Sequence, residues 1–216
     1  SPNGSEFLIG RDAEGNEREG FSMLSLDGSL ERQLLPASDA FRRLGDFSAD
    51  GNRAIYASTE RNGRDFDLYV VEVSSGKARL IYESEFGFFP EAWQPNGDLV
   101  IVSETRGEDA NDVYLLNAKT GDMAPLLQPK VAANFSDFQW LADGSGFYLA
   151  TNQGREFNAV AFYDLASGQL RTLFATDADA DNVKLAGGGD LLLWTTNEEG
   201  YSKLQGVDLI TQQPMR

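Results

Sequence analysis

The chain has no cysteine and no histidine in its 216 residues. Without cysteine there is no disulfide, no thiolate nucleophile and no Cys-ligated zinc. Cytoplasm and bacterial periplasm both remain open, because reducing and oxidising compartments alike tolerate a cysteine-free domain. Without histidine there is no Ser-His-Asp or Cys-His device, no HExxH site and none of the commonest metal ligand. Cationic residues are scarce: 18 Lys and Arg stand against 34 Asp and Glu, a net charge of −16. That excludes a nucleic-acid binder working through a basic face, since such binding is mainly neutralisation of phosphate. Long apolar runs are missing too. The longest is the five residues Ala159 to Tyr163, whereas a membrane-spanning helix needs about 20. The opening Ser1-Pro2-Asn3-Gly4-Ser5-Glu6 has neither the basic nor the apolar region of a signal peptide. What is present, 41% hydrophobic and 11% aromatic residues, predicts a packed globular core.

A turn signature recurs along the chain: Ser1-Pro2-Asn3-Gly4, Ser48-Ala49-Asp50-Gly51, Gln94-Pro95-Asn96-Gly97, Leu141-Ala142-Asp143-Gly144 and the degenerate Ala186-Gly187-Gly188-Gly189. Its last glycines are separated by 47, 46, 47 and 45 residues, and Phe47, Trp93, Trp140 and Leu185 stand four residues before the last four of them. A second turn glycine follows 24 or 25 residues later, at Gly28, Gly76, Gly121 and Gly168. Asn-Gly and Asp-Gly are the strongest short-range hairpin signals, because both residues accept the positive φ of a tight turn.

Between the turns lie short segments rich in β-branched and aromatic residues. They pair as 53–58 with 67–73, 98–103 with 112–117, 146–151 with 158–165, and 190–195 with 203–209; further strands follow at 78–82, 123–127 and 169–174. Leu68-Tyr69-Val70-Val71 and Ala159-Val160-Ala161-Phe162-Tyr163 are apolar on both alternating faces, as a sheet sandwiched between two neighbours requires. A period in the mid-forties with four short strands predicts an all-β chain of β-propeller blades. An ordinary β-sandwich would show shorter and less regular spacing. The units run over approximately 1–43, 44–89, 90–136, 137–182 and 183–216. The first lacks its first strand and the last has no clear fourth strand after Thr211-Gln212, so about four and a half blades are expected. The unclosed ends predict a partial propeller domain cut from a larger ring.

The run Phe47-Ser48-Ala49-Asp50-Gly51, followed by Tyr56-Ala57-Ser58-Thr59-Glu60-Arg61-Asn62-Gly63-Arg64-Asp65-Phe66-Asp67-Leu68-Tyr69-Val70, resembles the WD40-like propeller repeat shared by TolB and the prolyl oligopeptidase (S9) family of serine peptidases. The stretch around Asn62 to Tyr69, with the opening Phe7 to Asp12 and Gly15-Asn16-Glu17, is more similar to bacterial S9 aminopeptidases than to TolB. The resemblance implies a seven- or eight-bladed ring that caps a C-terminal α/β-hydrolase domain and admits peptide substrates to it. The hydrolase domain carries the nucleophile, acid and histidine, so this chain would be the filter and not the catalyst.

The residues themselves offer no catalytic, cofactor or metal set. Gly20-Phe21-Ser22-Met23-Leu24 and Gly200-Tyr201-Ser202-Lys203-Leu204 approach a nucleophile elbow but lack its final glycine. Ser74-Ser75-Gly76-Lys77 fits Ser-x-x-Lys, yet occupies a hairpin turn of the repeat and has no companion motif. Asp177, Asp179 and Asp181 alternate like calcium ligands, but Asn182 and Gly188 stand where the loop needs glycine and an acid, so a solvated loop is expected. Asp65 and Asp67 are expected in the backbone-bonding role of Asx residues before a strand.

The polar loops between second and third strands carry Arg11, Arg18, Arg61, Arg64, Arg106 and Arg155 among many acids. Equivalent placement predicts a mixed-charge rim for a peptide substrate or a protein partner, with Arg61, Arg64, Arg106, Arg155, Glu198 and Glu199 as its candidate residues; a purely solvated rim is the plain alternative. Glu198-Glu199 resembles the acidic pairs by which some S9 propellers hold a substrate amino terminus but lies on a different local element, so the role is not carried over. Two functions follow. One is a non-catalytic propeller gating and orienting peptides for a hydrolase domain, without cofactor. The other is a TolB-like scaffold for protein binding. A five-bladed enzyme using rim carboxylates finds no convergent acid pair recurring in the repeat.

Overall fold

The computed structural model describes residues 1–2, 4–12 and 14–215. Asn3 of the first turn signature, Ala13 of the first polar loop and Arg216 lie outside the described residues. The chain is all-β, and its strands form five antiparallel sheets in sequence order. The first has three strands, β1 (Glu6–Arg11), β2 (Gly20–Ser25) and β3 (Glu31–Leu35). The second is β4 (Arg42–Phe47), β5 (Arg53–Ser58), β6 (Asp67–Glu72) and β7 (Ala78–Tyr82). The third is β8 (Phe88–Trp93), β9 (Leu99–Thr105), β10 (Asn111–Asn117) and β11 (Met123–Leu127). The fourth is β12 (Phe135–Trp140), β13 (Gly146–Thr151), β14 (Ala159–Asp164) and β15 (Gln169–Phe174). The fifth is β16 (Ala180–Ala186), β17 (Leu191–Glu198), β18 (Tyr201–Asp208) and β19 (Gln213–Pro214). Each sheet is a meander of sequential neighbours, the form of a propeller blade.

The chain divides into two compact units, one of Ser1–Gln94, Asp98–Glu104 and Leu115–Ala124, the other of Pro95–Gly97, Thr105–Tyr114 and Pro125–Arg216. The first two sheets belong to the former and the last two to the latter.

The turns form as their chemistry dictates. Asp50 accepts hydrogen bonds from the Ser48 hydroxyl at 2.6 Å and the Asn52 amide at 3.0 Å, while Gly51 sits at φ 69°. Asp143 accepts from Ser145 in the same way, at 2.9 Å from the amide and 2.7 Å from the hydroxyl. The first strand of each four-stranded sheet carries an irregularity, between Leu44 and Phe47, Pro90 and Ala92, Ser136 and Gln139, and Asp181 and Lys184. In two of these strands a backbone N–H at or just after the irregularity donates to an aspartate of the preceding sheet. In the first unit Asp46 Oδ2 accepts from the Trp93 amide at 2.9 Å; in the second Asp137 Oδ2 accepts from the Val183 amide at 3.2 Å.

Two buried clusters join neighbouring sheets. In the first unit Phe21, Met23 and Leu34 pack with Tyr56, Tyr69 and Val71. In the second Ala150 and Val160 pack with Val183, Leu192 and Trp194. Each fully buried side chain of this size contributes about 1.5–3 kcal/mol by leaving water. A polar seam runs beside the first cluster: Arg32 donates to the Val73 carbonyl and Arg79 to the Ala118 carbonyl, both at 2.6 Å.

One expectation needs correction. The fifth sheet does have a fourth strand, β19, which pairs Pro214 with Val207 and Gln213 with Asp208, and the Met215 amide donates to the Gly206 carbonyl at 2.9 Å. Its Gln-Pro composition carries no strand propensity. Proline is nonetheless tolerated at an outer edge, where its missing N–H breaks no ladder bond.

Candidate functional site

The polar loops between second and third strands hold their arginines by internal partners. After β5, Arg61 donates from Nε to Asp67 Oδ2 at 2.7 Å and from a terminal nitrogen to Oδ1 at 2.9 Å. The same guanidinium reaches the Ser84 carbonyl at 3.0 Å, and the Ser84 amide donates to Asp67 Oδ1 at 2.8 Å. Asp67 is fully buried, so the pair staples the loop to the connection that leads into the next sheet. Arg64 forks onto Asp65 at 2.7 and 2.9 Å, and Asn62 donates to the same carboxylate at 2.7 Å. Arg64 and Asn62 hold the Asp65 carboxyl down at about 2. These carboxylates therefore receive arginine forks, and the acceptor role expected toward the backbone survives only at the distant Ser84 amide.

In the second unit Arg106 is paired with Asp112, again six residues apart. Among the described residues Arg155 has no such acid; it donates to the Phe157 carbonyl at 2.7 Å and the Thr176 carbonyl at 2.9 Å. Ala159 stands where Asp67 and Asp112 stand in the earlier repeats, nine residues before the second turn glycine, and among the described residues the neighbouring Asn158 has its Oδ1 buried with no hydrogen-bond partner.

Glu198 and Glu199 are brought to an open cleft of about 500 Å³ in the second unit, which they line with Asp177, Asn197, Tyr201 and Lys203. Antiparallel pairing of β17 with β18 sets Glu198 opposite Tyr201 and Thr196 opposite Lys203. The turn between them has Glu199 at φ 54° and Gly200 at φ 86°, the left-handed pair of a two-residue hairpin. The Gly200 amide donates to Asn197 Oδ1 at 3.1 Å. Glu198 is ion-paired with Lys203, which lowers its carboxyl pKa. Among the described residues no ion pair involves Asp177 or Glu199. Tyr201 is 74% exposed. The lining thus has two uncompensated carboxylates and an aromatic face, a combination suited to an organic cation.

Asp177, Tyr201 and Lys203 did not stand out in the sequence as site residues. Asp177 reads as part of a solvated acidic loop, and its proximity to Glu199 arises only once the fifth sheet is folded. Asp179 serves the chain itself, its Oδ1 accepting from the Asn158 amide at 2.7 Å. Asp181 has its carboxyl pKa pushed up, first by burial and then by Asp179 and Asp137. Ser22 and Ser202 lie within β2 and β18, and Ser75-Gly76 is a hairpin turn closed by the Gly76 amide on the Glu72 carbonyl at 2.8 Å. Among the described residues no three Asp or Glu side chains converge as a metal site.

No family model matches the sequence. A curated relative, eukaryotic translation initiation factor 3 subunit I of Drosophila grimshawi, is 22% identical over 178 residues, covering 74% of this chain and 52% of its own length. Among solved structures, TolB from Acinetobacter baumannii superposes with TM-score 0.75 at 17% identity, over 97% of this chain and 51% of that one. A mutant puromycin hydrolase complexed with PGG gives 0.72 at 17% identity, over 100% of this chain and 36% of that one. A prolyl endopeptidase gives 0.58 at 16% identity, over 99% and 41%. The fold is the TolB-type β-propeller, shared with the propeller domains of S9 peptidases. The chain spans about half the length of the curated relative and of the TolB it matches.

Proposed function

We propose that this chain is the non-catalytic propeller portion of an S9-type serine peptidase, gating and orienting peptide substrates for an α/β-hydrolase domain. The observation that carries the reading is the superposition of the whole chain on two hydrolytic enzymes, of which it spans 36% and 41%. The cleft at Glu198 and Glu199 adds chemical support. Uncompensated carboxylates beside an exposed tyrosine attract a peptide with a free amine or a basic side chain, through a field that salt screens. Arg61, Arg64, Arg106 and Arg155 then act indirectly, by holding the loops that frame the substrate path.

The test is to label the native, full-length gene product with a fluorophosphonate serine-hydrolase probe and read it on a denaturing gel. A labelled band roughly three times the 23.7 kDa of this chain is expected for a propeller joined to a hydrolase domain. An unlabelled product overturns the peptidase reading. A second reading, a TolB-like scaffold for protein binding, draws on the higher TM-score of 0.75 to TolB. An unlabelled band is its expected result. Fold alone does not choose between them, because one propeller architecture hosts both.

A further inference from the structure

The second unit has another cleft at the opposite end of β17, beside the turns that join first and second strands, with a volume of about 610 Å³. Its floor is apolar, made by Pro95, Trp140 and Leu185, and Asp143 and Asp190 line it with the backbone of Gly188. Its origin is a difference between successive turns. Between the third and fourth repeats, the Asn96 side chain donates to the Asp143 carbonyl at 2.6 Å and ties one turn to the next. Asp143 holds the position of Asn96 one repeat later and would have to make the same link to the turn at 187–190. The Ser145 amide and hydroxyl lower the Asp143 carboxyl pKa, so the side chain is ionised and has no proton to donate. The partner turn has also lost its side chains, being Gly187-Gly188-Gly189 at φ 61°, 74° and 107°. The stitch is missing, and the gap leaves Pro95 and Leu185 partly open above the buried Trp140.

The charge of the opening is one-sided. Among the described residues neither Asp143 nor Asp190 takes part in an ion pair, and the lining contains no Lys or Arg. A cleft of this size matches the space a few side chains fill, and the two exposed carboxylates favour a cation above it. We propose that this cleft is a docking site for an extended segment of a partner protein, in which a basic side chain meets Asp143 and Asp190 and an adjacent apolar side chain covers Pro95 and Leu185. The site is independent of the Glu198 cleft and holds under either functional reading.

The test is an amide NMR titration of the full chain with the capped peptide acetyl-Ala-Pro-Arg-Leu-Ala-amide, beside its citrulline counterpart, which keeps the shape and loses the charge. Capping removes the free amine that the Glu198 cleft would attract. Shifts are expected at Ala142, Asp143 and residues 187–190. Affinity should fall at least ~5-fold for the citrulline peptide and for Asp190→Asn, as for loss of one member of an interfacial charge pair. Gly188→Asn restores the side chain that the repeat carries at Asn96. An added Cβ there meets nothing within 4 Å, and asparagine tolerates the left-handed backbone, so the variant should fold and lose binding. Absence of shifts at millimolar peptide, equal binding of the citrulline peptide, or shifts at Asp177 and Glu199 instead would each overturn the proposal.

Discussion

Arg61 and Asp67 are joined by two parallel hydrogen bonds of 2.7 and 2.9 Å, and the carboxylate is fully buried while a third of the arginine side chain remains exposed. The asymmetry fixes the order of mutational effects. Asp67→Ala removes the acceptor of both Arg61 and the Ser84 amide and opens a buried space, for an expected loss of about 3 kcal/mol. Arg61→Ala strands a buried carboxylate and should be clearly destabilising. Arg64→Ala, whose side chain is 77% exposed, should cost least of the three. Urea unfolding of the three variants checks the order; an Arg64 variant as unstable as the Asp67 variant would refute it.

The turn glycines make a graded series. Gly28, Gly76 and Gly121 all adopt positive φ, at 72°, 68° and 82°. A Cβ on Gly28 meets nothing within 4 Å, whereas on Gly76 it would lie 2.6 Å from the Leu34 carbonyl oxygen and on Gly121 2.3 Å from that of Ile81. Gly28→Ala therefore pays only for its left-handed backbone, about 1 kcal/mol. Gly76→Ala and Gly121→Ala add a collision with the preceding sheet and should cost about 3 kcal/mol or more. Thermal melts that rank Gly28→Ala with the other two would show that the sheets can separate at no cost.

Most of this architecture was legible because its signals are local. Asx-Gly turns, glycine spacing and doubly apolar strands locate β5, β6, β13 and β14 within a residue or two. The seams between sheets were not legible. Asp67 reads as a polar residue before a strand until tertiary packing buries it, and nothing in the sequence distinguishes Gly121, pressed against Ile81, from Gly28, which touches nothing. Glu198 and Glu199 were visible as a charged pair. Their partner Asp177 lies 22 residues away and joins them only through folding of the fifth sheet. β19 escaped because two residues held by register alone leave no compositional trace.

Acid should weaken the protein through identifiable groups. The carboxyls of Asp27, Asp50 and Asp65 are each held at about 2, by Ser25 and Ser29, by Ser48 and Asn52, and by Arg64 and Asn62 respectively. An unfolded aspartate titrates near 3.9. A carboxyl depressed on folding contributes stability that is fully present above the unfolded value and disappears as pH falls through the folded one. Urea midpoints should thus hold from pH 7 to about 5 and drop between about 4 and 2. Relief of repulsion among the excess acids works the other way, so the diagnostic comparison is with Asp65→Asn, whose midpoint should fall less steeply over that window. Equal slopes would mean that Asp65 is not held in its ionised form by the fold.

Asn158 offers a test of how the fourth sheet tolerates a buried charge where the loop staple is absent. It directly precedes Ala159, which holds the position of Asp67 and Asp112, and six residues before that alanine Gln153 stands where the earlier repeats carry Arg61 and Arg106. Asn158→Asp would place a carboxylate with no arginine beside Asp179, which already accepts from its amide, and Asp181, whose pKa is raised. The expected loss at pH 7 is about 2 kcal/mol. Crowding raises the folded pKa of the new carboxyl, so the penalty is present above the unfolded pKa and fades as pH drops through the folded one. Adding Asn152→Arg supplies the missing cation and should recover part of the loss. Recovery stays partial because Asn152 Oδ1 also accepts from the Asn134 amide at 2.8 Å, a bond the arginine cannot make. A double variant no more stable than Asn158→Asp at pH 7 would show that an arginine at 152 does not relieve a carboxylate at 158.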